Sequence, residues 1–294
     1  MPRARLIYNP KAGREYLRRK LPDILEQLEL AGYETSCHAT KGKGDATRAA
    51  RYAVERRFDL VVAAGGDGTL YEVINGLAEQ EYRPKLGIIP AGTTNDFARA
   101  LQIPKKVEAA CEIIAQGKET SIDLGKVNGR YFINIAGGGT LTELTYEAST
   151  RQKAIMGQLA YYIKGMEKLA FLKPTRVTIK TRDLELEEEI MLFLVANSRS
   201  VGGLETIFPD ADVRDGYFDV LILRKTSIPE FIKLFAQAIR GSHFRHDPRI
   251  ITFRTSELII DSEEEVLLNL DGELGGTLPC HFKVLHKHIH LLVP

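Results

Sequence analysis

Residues 65–76 read Gly-Gly-Asp-Gly-Thr-Leu-Tyr-Glu-Val-Ile-Asn-Gly and follow directly on the apolar run Asp59-Leu-Val-Val-Ala-Ala64. A run so short and so apolar, stopped by glycines, reads as a strand buried on both faces. The amphipathic spacing after it reads as a helix. A turn of this kind aims backbone N–H groups and a helix N-terminus past the strand's carboxyl end, where phosphate is the usual occupant. Asp67 sharpens the inference, because a carboxylate beside a polyphosphate is repulsive unless a cation lies between them. The turn points to nucleotide with Mg²⁺, and so to phosphoryl transfer.

Two familiar loops are excluded. The dinucleotide fingerprint needs a third glycine where Leu70 and Tyr71 stand, and no Gly-x-x-x-x-Gly-Lys-Ser/Thr element occurs.

Up to about Asp123 the chain alternates strand and helix: Arg3–Tyr8, Tyr33–Ala39, Asp59–Ala64 and Lys85–Pro90 as strands, with helices between. Asp45 stands where the N-cap of the second helix is expected. This rhythm predicts an α/β fold with a doubly wound parallel sheet, whose ligands bind outside the carboxyl ends of the strands. At that edge Pro90-Ala-Gly-Thr-Thr-Asn-Asp-Phe-Ala-Arg99 repeats the glycine design, and Asp67, Asp96 and Asp123 are all expected at strand ends. Three carboxylates at a phosphate site call for a hydrated Mg²⁺, held through water.

After Asp123 short strand candidates dominate. They include a hairpin at Asn128-Gly129 and the runs Thr175–Lys180, Glu187–Ala196, Phe218–Leu223, Ile250–Phe253, Glu257–Ile260, Val266–Leu270 and His281–Leu285. Helices are expected over Gly157–Leu172 and Ser227–Arg240. This half reads as a mostly antiparallel β-sandwich. The expected domains are 1–123, completed by a last strand near His288–Val293 within 287–294, and 124–286, with the active site in the cleft between them. His286, His288 and His290 alternate as on the solvated face of a strand.

A net charge of +1 argues against a nucleic-acid binder, and the hydrophobic fraction of 44% is that of a globular chain. Cys37, Cys111 and Cys280 are far apart and odd in number, which fits reduced thiols in a cytoplasmic protein. No apolar run approaches the roughly 18 residues of a membrane span, and no signal peptide is visible at the start.

Taken together, Asn9-Pro10 with Gly13, the turn at 65–69 with Glu72, Val73, Asn75 and Gly76, the Gly92–Arg99 segment, Asp215-Gly216-Tyr217-Phe218 and Leu270-Asp271-Gly272-Glu273 resemble the catalytic domain of the diacylglycerol kinase family, most of all its soluble bacterial type. The resemblance spans nearly the whole chain. It implies an ATP- and Mg²⁺-dependent kinase that converts diacylglycerol to phosphatidic acid. ATP contacts are implied at Asn9, Pro10, Lys11, Ala12, Gly13, Thr40, Gly66, Asp67, Gly68, Thr69, Leu70, Tyr71, Glu72 and Thr93. Asp67, Asp96 and Asp123 are implied as a water-mediated Mg²⁺ network. Asp212, Asp215 and the Tyr217 carbonyl are implied as a structural Mg²⁺ site. Asp271 and Glu273 both correspond to the base that takes the lipid hydroxyl proton, and which of them accepts it stays open.

Two positions depart from the family pattern. Tyr71 replaces a usual asparagine and Ala12 a usual serine, so altered nucleotide affinity or a shifted pose is expected. Competing acceptors are phosphatidylglycerol, a sphingoid base or NAD, and a catalytically silent nucleotide-binding module is the rival outside enzymes. The acceptor diacylglycerol places the expected site of action at an anionic membrane surface, with the protein cytoplasmic and transiently on the membrane's inner face. Basic residues around 151–176 (Lys164 and Lys168 among them) and 240–254 are the expected contacts. A homodimer is left open.

Overall fold

The computed structural model describes residues 1–139, 174–200, 205–241 and 244–294. The expected helix over Gly157–Leu172, with Lys164 and Lys168, lies outside these residues. The chain divides into two compact units, one of Met1–Leu124, Val213–Asp215 and Leu285–Pro294, the other of Gly125–Asp212 and Gly216–Val284.

The first unit begins β1 (Arg3–Tyr8), α1 (Tyr16–Leu30), β2 (Glu34–Ala39), α2 (Asp45–Glu55), β3 (Leu60–Gly65), α3 (Asp67–Leu77) and β4 (Lys85–Pro90). It continues with α4 (Asp96–Ala100), α5 (Val107–Gln116) and the start of β5 (Glu119–Val127). The first four strands pair in parallel in the order β2-β1-β3-β4, with Leu6 opposite Val62 and Val62 opposite Gly87. Every residue of β3 is buried, as a strand covered on both faces must be. On one face Leu6, Leu60, Val62 and Ile89 pack with Leu17, Ile24 and Leu28 of α1 and with Val107, Ala110 and Ile114 of α5. On the other, α2 and α3 approach so closely that a Cβ on Gly76 would lie 2.6 Å from the Thr47 carbonyl oxygen.

The second unit holds β6 (Arg130–Phe132), β7 (Ile135–Gly138), β8 (Thr175–Lys180), β9 (Glu185–Ala196), β10 (Phe218–Arg224) and α6 (Ile228–Ile239). After them come β11 (Ile250–Thr255), β12 (Glu257–Asp261), β13 (Leu267–Leu270), β14 (Glu273–Thr277) and the first part of β15 (Cys280–Leu292). Its pairings are antiparallel throughout the described residues: β7 and β8 on β9, β9 on β10, β10 on β11, β12 on β8, and β13 on both β7 and β14. Asn128 and Gly129 take φ of 47° and 78°, the left-handed pair that a two-residue hairpin turn requires.

Phe132 stacks on Phe218 at 5.5 Å between ring centroids and meets Phe282 edge-on at 6.2 Å, as does Phe193. All four rings are fully buried. Gly125 sits beneath this cluster, and a Cβ there would come within 2.2 Å of the Phe132 ring. The later part of β15, from Leu285, belongs to the first unit and pairs in parallel with β4 at Leu291 and Leu86.

Gly125→Ala therefore forces the Phe132 ring out of its stack, and overpacking of this kind costs about 1–3 kcal/mol. The urea midpoint should fall accordingly. Adding Phe132→Leu should cost less than the two changes measured separately, since the smaller side chain removes the clash. Strict additivity would contradict the packing.

Candidate functional site

Three loops of the first unit meet past the carboxyl ends of β1, β3 and β4. The Asn9 amide N–H donates to the Ala64 carbonyl at 3.0 Å, and the Ala91 N–H to the Gly65 carbonyl at 2.7 Å. Gly66 and Gly92 then bring their backbones together. A Cβ on Gly92 would fall 2.5 Å from the Gly66 Cα, and one on Gly13 3.3 Å from the Ala91 carbonyl oxygen. Glycine is required at Gly92 because no side chain fits between two main chains this close. Gly68 is the opposite case: a Cβ there would meet nothing within 4 Å, so the first turn of α3 faces open space.

Side chains lock the loops. Asn95 stands in the left-handed region at φ 51°, where its Oδ1 accepts from the Gly92 N–H and its Nδ2 donates to the Gly92 carbonyl, both at 2.8 Å. Its own N–H donates to Asp67 Oδ2 at 2.9 Å, which ties the second loop to the first. The Lys11 N–H donates to Asn9 Oδ1 at 3.0 Å, closing an Asx turn, and the Thr40 N–H reaches the Tyr8 carbonyl at 2.9 Å. Lys11, Ala12, Gly13 and Thr40 thus line the end of β1, while Thr93 is exposed on the Gly92 loop. Leu70 buries its side chain in the core, and Tyr71 remains partly exposed one residue on.

Asp67 and Asp96 are set against each other. Burial pushes the Asp67 carboxyl above the ordinary carboxylate range, and the nearby Asp96 charge adds to the effect, against backbone N–H groups that lower it. Two hard carboxylates whose repulsion a cation would relieve are a donor set suited to Mg²⁺. Asp123 is placed by another element. It is fully buried, accepts from the Lys287 N–H of β15 at 2.6 Å and meets His286 Nδ1 at 2.9 Å.

The expected histidine alternation is broken there, because Lys287 takes φ 49°. Each ring has a setting of its own: His288 Nε2 accepts from the Glu79 N–H at 2.8 Å, and His290 Nδ1 lies 3.3 Å from Ser121 Oγ.

Glu72 and Asp45 have locations that sequence spacing did not reveal. Glu72 reaches from α3 to the start of α2, accepting from the Gly44 and Ala46 N–H groups at 2.7 and 3.0 Å. It does the capping expected of Asp45. Asp45 itself lies within the first turn of α2 and accepts from the Lys41 N–H at 2.8 Å, which holds its carboxyl below the usual range with help from His38 and Arg48.

In the second unit Asp271 and Gly272 form the two-residue turn between β13 and β14, with φ of 50° and 91°. The Asp271 carboxylate accepts three backbone N–H bonds, from Ile133 at 2.7 Å and from Asn134 and Ile135 at 2.9 Å. Segment 133–135 is held in turn by buried polar residues. Asn197 Nδ2 donates to the Ile133 carbonyl at 2.9 Å, and the Ser198 hydroxyl bonds Asn134 Oδ1 at 2.8 Å. Sequence reasoning missed Asn134, Asn197 and Ser198; polar residues directly after apolar strand runs were the available signal. Glu273 opens β14, half-buried. Val213, between Asp212 and Asp215, accepts from the Asp123 N–H at 2.7 Å, and Tyr217 is 48% exposed beneath the Arg254 guanidinium.

Residues 3–127 match the family described as "Diacylglycerol kinase catalytic domain", and residues 141–293 match "YegS C-terminal NAD kinase beta sandwich-like domain". The chain is 52% identical to a diacylglycerol kinase of Bacillus subtilis over 100% of its own length and 97% of the relative's. It is 48% identical to one of Staphylococcus epidermidis, over 99% and 92% of the two chains. A solved structure of a diacylglycerol kinase from Bacillus anthracis superposes with a TM-score of 0.84 at 30% identity, covering 99% of this chain and 97% of that one.

Ionised Asp67 costs the fold stability at neutral pH, because its folded pKa lies above its unfolded value. The cost fades as pH falls through that raised pKa and vanishes near the unfolded value of about 4. Asp67→Asn should accordingly show a higher thermal midpoint than the parent at pH 7 without metal or nucleotide, the gap closing on acidification. An equal or lower midpoint at pH 7 would contradict the raised pKa.

Proposed function

The chain belongs to the diacylglycerol kinase family, and from that premise we propose that it transfers the γ-phosphoryl group of ATP to the free hydroxyl of diacylglycerol, giving phosphatidic acid and ADP. The observation that carries this reading is the meeting of the Gly66 and Gly92 loops, with Asp67 and Asp96 set together beside them. The lipid oxygen forms its bond to the γ-phosphorus as the bond to the bridging oxygen breaks. ADP leaves with that electron pair, and the lipid hydroxyl proton passes to a carboxylate.

In this reading the Asn9–Gly13 and Gly66–Glu72 segments, Thr40 and Thr93 hold the nucleotide. Glu72 acts chiefly by anchoring α2, and Leu70 through its backbone. Asp67, Asp96 and, through the β15 side, Asp123 are the proposed water-linked partners of Mg²⁺. When bound, that ion neutralises phosphate charge and orients the chain of phosphates. Asp212, Asp215 and the Tyr217 carbonyl remain the proposed ligands of a structural Mg²⁺, an assignment that rests on family resemblance.

Glu273 is our choice of proton acceptor. Three of the roughly four Asp271 lone-pair sites are taken up by backbone N–H groups, which suit a positioning residue that fixes the β13–β14 turn. The acceptor lipid places the enzyme at an anionic membrane surface on the cytoplasmic side. Among the described residues no helix is long and apolar enough to cross a membrane.

Turnover with Mg²⁺-ATP should be found with diacylglycerol in a panel that includes phosphatidylglycerol, sphingosine and NAD. Glu273→Gln should lower kcat by roughly 10²–10⁴-fold while ATP affinity and the unfolding midpoint hold. Asp271→Asn should lower the midpoint as well as the rate, since one backbone donor or more loses its partner. Full activity in Glu273→Gln would remove it as the acceptor.

A further inference from the structure

The turn that delivers Glu273 is clamped at both of its central residues. Asp271 accepts from the Ile133, Asn134 and Ile135 N–H groups at 2.7, 2.9 and 2.9 Å, three successive donors converging as in the nests that hold anions. The Gly272 N–H donates to Asn269 Oδ1 at 2.7 Å. Glu273 follows at once, opposite Leu270. The register then shifts: Asn269 faces Leu274 and Leu268 faces Gly276, so Gly275 is the extra residue of a β-bulge. Bulges bend a strand and re-aim the side chains beside them, and they gather next to functional sites.

The clamp on Asp271 is itself built from buried polar groups. Ile133 and Asn134 form the bend between β6 and β7, so their backbone groups need partners from outside a ladder. Asn197 Nδ2 donates to the Ile133 carbonyl at 2.9 Å, and the Asn197 and Ser198 N–H groups donate to the Asn134 carbonyl at 2.8 and 3.2 Å. The Ser198 hydroxyl donates to Asn134 Oδ1 at 2.8 Å. Asn134, Asn197 and Ser198 are 5%, 1% and 1% exposed. Replacing both members of a buried polar pair by apolar groups of the same shape is nearly neutral for stability. What a directional network adds is a single geometry. Here it runs from Ser198 through Asn134 to Asp271, two residues from Glu273.

We infer that Ser198, Asn134 and Asn269 are positioning residues for the proton acceptor of the reaction. The inference rests on the kinase reading and on Glu273 as its base. Ser198 and Asn134 set the Asp271 side of the turn and Asn269 the Gly272 side, which gives Glu273 one direction in which to leave it. Catalysis is sensitive to such placement, since an error of about 1 Å can cost roughly 10²-fold in rate.

The test is steady-state kinetics of the full chain with Mg²⁺-ATP and diacylglycerol, at a temperature where each variant is folded by circular dichroism. Ser198→Ala should lower kcat by about tenfold or more while KM for ATP holds. In a Glu273→Gln background the same change should move kcat by less than about twofold, because the residue it acts through is already gone. A merely structural role would carry its full effect into that background. Ser198→Ala with Asn134→Ala should cost no more than the larger of the two singles, as two links of one chain do. Asn269→Ala, at a half-buried position, gives an independent variant with the same expected pattern if Ser198→Ala does not fold. Parental kcat in Ser198→Ala and Asn269→Ala, or an undiminished loss in the Glu273→Gln background, overturns the inference and leaves the kinase reading standing. A parent chain that phosphorylates no diacylglycerol sinks both.

Discussion

The approach of two main chains, Gly66 against Gly92, is the constraint on which the rest of the first unit's chemistry depends. A Cβ on either residue would lie within 3.2 Å of the other's Cα, so the loops close only because neither carries a side chain. Their closure sets the Asn95 N–H on the Asp67 carboxylate and puts Asp67 beside Asp96. Two like charges forced together in a partly buried place are a liability in a protein without a cation to share. In the function proposed above they would be a stored preference for metal-bound phosphate, stability being given up locally so that binding could recover it.

The same logic separates the carboxylates by role. Glu72 and Asp271 are held by backbone N–H groups and spend their lone pairs on architecture, the one capping α2, the other fixing a hairpin turn. Asp67, raised by burial and by its neighbour, is the one whose ionisation the fold resists. Assigning chemistry to acidic residues from motif position alone merges these cases, and the hydrogen-bond partners pull them apart.

Much of this was legible in the sequence. The apolar run before Gly65 and the spacing after it gave the strand–turn–helix, and Asn128-Gly129 gave its hairpin, because these signals are local. What could not be read depends on distant partners. The N–H groups that hold Asp271 come from residues 136–138 positions earlier in the chain, and Glu72 caps a helix that begins 27 residues before it. The misplaced cap at Asp45 has the same origin, since a cap supplied from another helix leaves no trace in local spacing. Strand β14 escaped notice because Leu274-Gly275-Gly276 has no alternation; a Cβ on Gly275 would lie 2.5 Å from Leu270 Cγ.

Titration of ATP into Gly92→Ala, followed by calorimetry in the presence and absence of Mg²⁺, bears most directly on the claim that the two touching glycine loops form the nucleotide site. Parting the loops should weaken Mg²⁺-dependent ATP binding by about tenfold or more, with circular dichroism unchanged, because the methyl group displaces the backbone that positions Asp67 and Asp96. Affinity equal to that of the parent chain, in a folded variant, would contradict it.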